Sequence, residues 1–278
     1  MLLEDLYGNS GANMNQRHLR QSFLGENSDS VIEDACVAII GLCGGGSHIA
    51  QQLAHIGINN FKLYDHDNAE DHNINRMVGL SHEAAKNQEP KTKVIAEMIK
   101  RINPNANITI VTKRWQEYPD YLKACTAIFG CIDSYLARDE LERYARRYLV
   151  PYIDIGMDVH GDPDNYYLSG QVILSLPDYA CMRCMGFITE SRLATEANLY
   201  GKAGGRPQVI WPNGTLASIA IGKFMSILTP WNKNLEASLY TEYDGNRFLV
   251  MPSNKLKVIN QDLCLHYGGK NGIGDYNF

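Results

Sequence analysis

Residues 37–67 read VAIIGLCGGGSHIAQQLAHIGINNFKLYDHD, and this stretch decides the fold class. An apolar run, CVAII at 36–40, leads into a turn that contains Gly41, Gly44, Gly45 and Gly46. Apolar residues then recur at helical spacing over 47–56, and a second apolar run, FKLYD at 61–65, follows. Strand, glycine turn, helix and strand in this order are typical of a nucleotide-binding βαβ unit.

The glycine turn and Asp65 indicate how such a unit meets its ligand. Glycine lets the backbone approach a phosphate, and the helix that follows presents free N–H groups and the positive end of its dipole. Asp65 ends the second strand, where its carboxylate can accept hydrogen bonds from ribose hydroxyls. NAD, FAD, S-adenosylmethionine and ATP all fit this pattern. The glycines also fit a purely structural role in tight packing.

The same alternation of strands and helices continues along the chain. We predict a Rossmann-like α/β fold, with a mostly parallel sheet and helices on both faces. A long crossover loop and a C-terminal antiparallel β-rich extension are expected to follow it. We expect the first 34 residues to form an arm or short helix, and 35–278 to form one α/β domain. The predicted elements are helices at 91–102, 136–149 and 215–228, strands at 108–112, 127–133, 151–157 and 166–176, the loop at 186–213, and β-rich stretches near 237–242 and 247–251.

Composition narrows the classes of function. The chain has 278 residues and a formal net charge of −5, which argues against a nucleic-acid-binding surface. The sequence contains no run of about 18 apolar residues, so we expect no membrane span. The N-terminus has no basic region followed by an apolar stretch, so we expect no secretory signal. Seven cysteines without framework spacing indicate a reduced protein, so we expect a cytoplasmic location.

Four residues favour ATP over a nicotinamide cofactor. Asn73 and Arg76 lie in HNINRMVG, Lys91 opens a predicted helix, and Asp133 follows a predicted strand. Two cations can neutralise charge on a polyphosphate, and a carboxylate can hold Mg²⁺. Ordinary structural roles stay open for two of these residues. Lys91 also fits a helix-start lysine, and Asp133 also fits a helix cap.

The ordered motifs resemble the ThiF/MoeB/HesA family of bacterial relatives of ubiquitin-activating enzymes. The matching segments cover most of the chain and run from RQSFLG (20–25) through GLCGGG, LYDHD, NINR, EPK, RINP, CID, VPYIDIG and SGQV to CMRC (181–184). The resemblance implies ATP-dependent adenylation of the C-terminal carboxylate of a ubiquitin-like or sulfur-carrier protein with a glycine-terminated tail. Pyrophosphate would be released.

The resemblance also assigns roles to positions in this chain. Asp65 would bind ribose, and Asp67 belongs to the same nucleotide-binding segment. Asn73, Arg76 and Lys91 would contact phosphates, and Asp133 would bind Mg²⁺. Arg20 matches an arginine that the family sends across a homodimer interface to the partner's ATP. An exposed arm residue without that role is the alternative for Arg20.

Two departures concern cysteine. Cys43 stands where the family has glycine; we interpret it as a tolerated substitution, although a helix N-terminus can lower a thiol pKa. The segment 186–212 contains no cysteine, so thioester formation by this chain is not expected. The adenylate would pass to a separate acceptor, and a conjugating enzyme or a JAB-type peptidase is a possible partner. GKAGGR at 201–206 is expected to be mobile and to cover the substrate tail.

A CxxC pair, Cys181 and Cys184, predicts a metal site. The family often completes a structural zinc site with a second such pair, which this chain lacks. Cys264 and His266 provide a thiolate and an imidazole instead, and four such ligands suit a closed tetrahedral Zn²⁺ site. Packed cysteines without metal are the alternative.

Two rival functions use other parts of the pattern. An NAD- or FAD-dependent oxidoreductase would explain the glycine turn and Asp65, but it leaves Arg76, Lys91 and Asp133 unexplained. A catalytically inactive family member that acts as a scaffold is favoured by Cys43.

Overall fold

One eight-stranded β-sheet forms the centre of the protein in a computed structural model, which describes residues 16–198, 207–234, 239–260, 264, 266 and 267. The strand order is β3-β2-β1-β4-β5-β6-β7-β8. The five strands from β1 to β5 are parallel, and β6, β7 and β8 continue the sheet in antiparallel pairs. The predicted sheet is confirmed. The strands are β1 (Cys36–Ile40), β2 (Asn60–Tyr64), β3 (Asn107–Val111), β4 (Ala127–Gly130), β5 (Tyr152–Asp162), β6 (Asn165–Ser175), β7 (Tyr240–Asp244) and β8 (Leu249–Pro252).

Helices connect and cover these strands. None of the described helices is both long and apolar enough to cross a membrane. Short 3-10 helices lie at Gln16–Leu24, Asp71–Asn73, Trp115–Glu117, Pro119–Leu122 and Asn254–Lys257. The α-helices are α1 (Ser28–Asp34), α2 (Gly44–Ile56), α3 (His82–Lys86), α4 (Lys91–Ile102), α5 (Tyr135–Arg147), α6 (Glu190–Asn198) and α7 (Ile210–Leu228).

The reversal of strand order between β1 and β4 positions the candidate site. Right-handed crossovers place α2 and α4 on one face of the sheet and α5 on the other, because the chain moves outward in opposite directions from β1 and β4. The α7 helix packs against α2 and against β5 and β6. The prediction of helices on both faces is therefore confirmed. In such sheets ligands bind at the carboxyl ends of the strands beside this reversal.

Two helices begin earlier than the sequence pattern predicts. The α2 helix starts at Gly44, so Gly44, Gly45 and Gly46 form its first turn. The α7 helix starts at Ile210 and includes Pro212, which the first turn tolerates because its N–H groups have no intrahelical acceptor. The predicted loop 186–213 also contains α6. The segment GKAGGR at 201–206 lies outside the described residues, as do most of the arm before residue 16 and most of the tail after 260.

The arm is attached to the far end of α2 from the glycine turn. Gln21 Nε2 donates to the carbonyl of Ile56 at 2.9 Å. His18 is buried against Gly57, which ends α2 with φ +114, a left-handed conformation that favours glycine. Arg20 is exposed on this 3-10 helix. The glycine turn and Arg20 of one chain are therefore separated by the length of α2, roughly 20 Å for a helix of this size.

A pair of helix glycines tests the packing of the turn. A Cβ atom on Gly46 would overlap the carbonyl of Gly41, whereas a Cβ on Gly222 in α7 would meet nothing within 4 Å. Gly46→Ala should cost about 1–3 kcal/mol through this overlap, and Gly222→Ala should gain about 0.5–1 kcal/mol through helix propensity. Urea unfolding of both variants measures the difference. Equal stabilities would contradict the packing role of Gly46.

Candidate nucleotide site and metal cluster

The glycine turn begins where β1 ends. Gly41 has φ +87, and a Cβ there would overlap the carbonyl of Cys131 in the turn after β4, so this position requires glycine. Cys43 is the residue before α2, and three glycines follow it. On the open side, Asn213 of α7 packs over the turn, and a Cβ on Gly44 would lie 2.6 Å from its Nδ2. The first turn of α2, with N–H groups that have no intrahelical acceptor, therefore lies at the wall of the cleft beside Asn213.

Asp65 fixes this turn to the end of β2. Its Oδ2 accepts from the N–H of Leu42 at 2.8 Å, and its Oδ1 accepts from the N–H of Asp67 at 2.9 Å. Burial raises the pKa of Asp65, while Lys91 and these two N–H donors oppose the rise. A carboxylate has about four acceptor positions, so two remain for a ligand hydroxyl.

Lys91 is a buried cation paired with an exposed acid. Its Nζ lies 2.8 Å from Oδ2 of Asp67, and the two side chains are 8% and 55% exposed. Burial by itself lowers the pKa of Lys91, but the carboxylates of Asp65 and Asp67 outweigh it and raise the pKa overall. Burial likewise favours a higher pKa for Asp67, but Lys91 lowers it overall. Lys91 is the first residue of α4, which agrees with the alternative of a helix-start lysine. It is also a positive charge held in a buried position.

Arg76 has an unsatisfied donor. Its Nη1 donates to the carbonyl of His72 at 2.7 Å and to Oδ1 of Asn75 at 3.0 Å, while its buried Nε has no hydrogen-bond partner among the described residues. Asn73 is 2% exposed, and its Oδ1 accepts from the N–H of Glu70 at 2.9 Å, which closes the turn that carries Arg76. An unpaired guanidinium N–H beside a cleft fits an anionic ligand such as phosphate.

Asp133 lies in the turn between β4 and α5, and its side chain is exposed. The cap of α5 is the neighbouring residue, because Ser134 Oγ accepts from the N–H of Ala137 at 3.2 Å. The alternative of a helix cap is therefore wrong for Asp133. Arg138 supports this turn from below, since its Nε donates to the carbonyl of Ile132 at 2.7 Å and its Nη1 lies 3.3 Å from buried Asp154.

These residues surround one cleft of about 670 Å³ at the carboxyl ends of β1 and β4. Its size lies within the range of small-molecule sites. Gly46 is buried beneath the cleft rather than in its wall, and Arg20 lies outside the cleft of its own chain. The predicted residues in the wall are Gly41, Gly44, Gly45, Asp65, Asp67, Asn73, Arg76, Lys91 and Asp133.

Two cysteines also line the cleft, and neither is activated. Burial raises the pKa of Cys43, although Arg76 and Lys91 oppose the rise. Burial also raises the pKa of Cys131. The less favoured alternative, a redox-sensitive thiol with a lowered pKa at the start of α2, is not supported for Cys43, because burial outweighs the hydrogen bond from the helix N-terminus.

The four predicted metal ligands come together at one point. Their ligand atoms lie within 4.8 Å of one another in a cluster of Cys181, Cys184, Cys264 and His266. His266 Nδ1 lies 3.4 Å from Cys181 Sγ and 3.2 Å from Cys184 Sγ, and Cys184 Sγ lies 3.9 Å from Cys264 Sγ. Tetrahedral Zn–S bonds of about 2.3 Å place sulfurs about 3.8 Å apart, so the spacing fits Zn²⁺.

Sequence reasoning missed the charged residues that hold the cluster and the cleft in place. Arg138, Glu142 and Arg146 follow one another at four-residue spacing on α5, and all three are buried. Glu142 Oε1 accepts from the N–H of Met182 at 2.8 Å, within the CxxC segment. From the crossover, Glu196 accepts from the N–H of Leu136 at 2.9 Å, at the start of α5. Only the four-residue repeat of charges was visible in the sequence.

Known proteins with similar sequences share about half of their length with this chain. It is 30% identical over 142 residues to tRNA threonylcarbamoyladenosine dehydratase of Escherichia coli strain K12, covering 48% of this chain and 50% of the relative. It is 25% identical over 175 residues to ubiquitin-like modifier-activating enzyme 5 of Dictyostelium discoideum, covering 57% and 43%. It is 28% identical over 124 residues to molybdopterin-synthase adenylyltransferase of Salmonella typhimurium strain LT2, covering 44% and 49%.

Solved structures agree on the fold. The crystal structure of E. coli MccB with ATP superposes with a TM-score of 0.70 at 19% identity, covering 88% of this chain and 73% of that one. Residues 15–262 match the ThiF family, which confirms the resemblance drawn from the motifs. The chain therefore belongs to the ThiF family.

Proposed function

We propose that this protein adenylates a substrate carboxylate with ATP, and that the carboxylate is the C-terminus of a ubiquitin-like or sulfur-carrier protein with a glycine-terminated tail. The observation that carries the proposal is the composition of the cleft. Arg76, Lys91 and the start of α2 supply positive charge, and the exposed carboxylate of Asp133 lines the same cleft. A nicotinamide or flavin enzyme does not require two cations and a carboxylate in this arrangement.

ATP would be bound along the turn and across the sheet reversal. Asp65 would accept hydrogen bonds from ribose hydroxyls with its two remaining acceptor positions. The N–H groups of the glycine turn, Arg76 and Lys91 would contact the phosphates, with Asn73 beside them. Asp133 would hold Mg²⁺, which supplies further neutralisation of the polyphosphate charge.

The reaction needs no nucleophile from the protein. A carboxylate oxygen of the substrate attacks the α-phosphorus, the bond to the bridging oxygen breaks, and pyrophosphate leaves with that oxygen. The protein holds the two reactants together and offsets the negative charge that grows on the leaving group. Because the segment 186–212 contains no cysteine, the adenylate would pass to a separate acceptor. A conjugating enzyme or a JAB-type peptidase fits such a pathway.

The relatives support this class of substrate without identifying it. The Salmonella relative is named an adenylyltransferase, and the Dictyostelium relative is named for a ubiquitin-like modifier. MccB has been solved with ATP and in complex with N-formylated MccA. The E. coli relative is named for a modified tRNA nucleoside. A net charge of −5 favours a protein carrier over RNA for this chain.

A scaffold without catalysis is the second candidate. Cys43 lines the cleft, where the thiol takes up space beside the turn that glycine would leave open. The turn nevertheless continues into α2 at Gly44, so the helix N-terminus is preserved. This preservation favours the enzyme.

We also propose a homodimer in which Arg20 enters the cleft of the partner chain. Within its own chain Arg20 lies at the opposite end of α2 from the turn. Apolar side chains surround it on the surface: Leu19 is 41% exposed, Phe23 is 68% exposed, and Trp231, which contacts Phe23 edge to face, is 44% exposed. Burial of these side chains against a second copy would bring Arg20 with them.

The metal cluster is proposed to hold structural Zn²⁺. Hydrogen bonding from Cys181 lowers the pKa of Cys264, which favours the thiolate form that binds Zn²⁺. Four protein ligands leave no open coordination position, which excludes a catalytic role for this ion. The ion would join the residues near 264–266 to the CxxC segment and stabilise the fold.

The first prediction concerns pyrophosphate exchange. With Mg²⁺, ATP and candidate carriers that end in glycine, the protein should exchange labelled pyrophosphate into ATP only when a suitable carrier is present. Asp133→Ala should lower the rate by about 100-fold or more, because the variant would no longer hold the Mg²⁺ that offsets phosphate charge. Asp164→Ala, at an exposed carboxylate in the β5–β6 turn, should leave the rate unchanged. ATP binding without exchange for any carrier would favour the scaffold.

The second prediction concerns which chain of the proposed dimer supplies Arg20 to each cleft. Arg20→Ala and Asp133→Ala should each be inactive alone. When the two variants are co-expressed, the whole population of dimers should regain about a quarter of wild-type exchange, because about half of the dimers are mixed and each mixed dimer contains one complete site out of two. Differently tagged copies allow the mixed dimer to be purified. No recovery in that dimer would contradict a role of Arg20 across the interface.

The third prediction concerns the metal. Freshly purified protein should contain about one equivalent of zinc, and Cys264→Ser should lose most of it because one of four ligands is gone. Cys43→Ser, which changes a thiol outside the cluster, should keep its zinc. Elemental analysis measures both. Less than about half an equivalent in the wild-type protein would contradict the zinc proposal.

A further inference from the structure

Two cysteines face each other at the amino-terminal ends of the central strands β1 and β4, at the opposite end of these strands from the cleft. Cys36 is the first residue of β1, and Cys125 lies just before β4; their Sγ atoms are 3.8 Å apart. Two hydrogen bonds hold the backbones in register. The N–H of Thr126 donates to the carbonyl of Cys36 at 2.7 Å, and the N–H of Cys36 donates to Thr126 Oγ1 at 3.0 Å. The sulfurs are therefore kept close by the parallel pairing of β1 and β4.

The surroundings of the pair favour a thiolate on Cys36. Hydrogen bonding from Cys125 lowers the pKa of Cys36 to about 7, against the effect of burial, and the positive charge of Lys62 assists. Lys62 is held nearby by a hydrogen bond from its Nζ to Thr109 Oγ1 at 2.9 Å. Cys36 is half-buried, whereas Cys125 is buried with its Sγ 3.3 Å from the carbonyl of Tyr121.

No other cysteine outside the metal cluster has these properties. Cys43 and Cys131 have raised pKa values, and neither has an observed sulfur partner among the described residues. Burial and the neighbouring Cys36 raise the pKa of Cys125, which therefore stays protonated. The pair thus combines a half-buried thiol with a lowered pKa and a buried thiol in contact with it.

We propose that Cys36 and Cys125 form a reversible disulfide when a hydroperoxide oxidises Cys36. The Cys36 thiolate attacks a peroxide oxygen and the O–O bond breaks; with hydrogen peroxide, Cys36 becomes a sulfenic acid and hydroxide leaves. The Cys125 sulfur then attacks the Cys36 sulfur, the S–S bond forms and the S–O bond breaks. The departing hydroxide and the proton of Cys125 form water. Two thiols lose two electrons in total, and the peroxide is reduced to two waters.

The sulfur atoms are already in contact, so the bond requires only a short approach. A disulfide needs sulfurs about 2.05 Å apart, so they must approach by roughly 1.8 Å, a movement that side-chain rotation at two strand ends can supply. The two residues are 89 positions apart, so the bond would close a long loop that includes the glycine turn, β2 and β3. Oxidised protein should therefore resist unfolding more than reduced protein does.

The experiment treats reduced, full-length protein of measured metal content with a few equivalents of hydrogen peroxide. Free thiols are then alkylated, and disulfides are mapped by mass spectrometry. We expect the Cys36–Cys125 peptide to form before any other cysteine pair, to disappear with dithiothreitol, and to accompany a higher melting temperature. At pH 7, iodoacetamide should modify Cys36 of the reduced protein at least tenfold faster than Cys43.

A variant isolates the role of the second sulfur. In Cys125→Ser the hydroxyl can still donate a hydrogen bond to Cys36, but no disulfide can form. Dimedone should then trap a sulfenic acid on Cys36, whereas Cys43→Ser should form the disulfide as the wild type does. The proposal is overturned if Cys36 reacts no faster than Cys43, if wild-type Cys36 proceeds to the sulfinic acid without a disulfide, or if another cysteine pair forms first.

Discussion

The candidate site depends on one buried carboxylate. Asp65 receives the N–H of Leu42 from the glycine turn and the N–H of Asp67 from the segment that follows β2. Without this acceptor, a buried N–H in the turn would lose its partner, and the ends of β1 and β2 would no longer be held together. The burial of Asp65 is costly, and the positive charge of Lys91 reduces that cost. Structure and binding chemistry therefore share the same residues.

This arrangement has a consequence for ligand binding. In the free protein Lys91 is paired with Asp67, so a polyphosphate must compete for the ammonium group. The exposure of the two side chains indicates which of them can move away from the other: Asp67 is 55% exposed and Lys91 is 8% exposed. Asp67 can turn toward water at little cost, whereas Lys91 cannot follow it without leaving a buried position. On binding a polyphosphate as proposed, the cation would therefore stay in place and Asp67 would give up its contact.

The sequence predicted the parts of the site that follow from local pattern. Gly41 and Asp65 come from the strand–turn–helix–strand order, and Lys91 comes from the start of an amphipathic helix. Arg138 and Asp154 were not predicted, because a charge on a helix or strand is normally solvated and only the tertiary contacts show that these two are buried and paired. The change in the pKa of Cys43 was missed for a similar reason. Its sign depends on how much protein surrounds the thiol, and a helix N-terminus visible in the sequence does not report that.

The buried charges of α5 connect the cleft to the metal cluster. Arg138 supports the turn with Asp133 at one end of the helix, and Arg146 donates to the carbonyls of Tyr179 and Ala180 near its other end. Between them Glu142 accepts from the N–H of Met182. Apolar side chains could fill the same space, but they would leave these backbone groups without partners. The polar stripe therefore fixes the CxxC backbone in position before any metal ion binds, and the same rigid helix carries that position to the wall of the cleft.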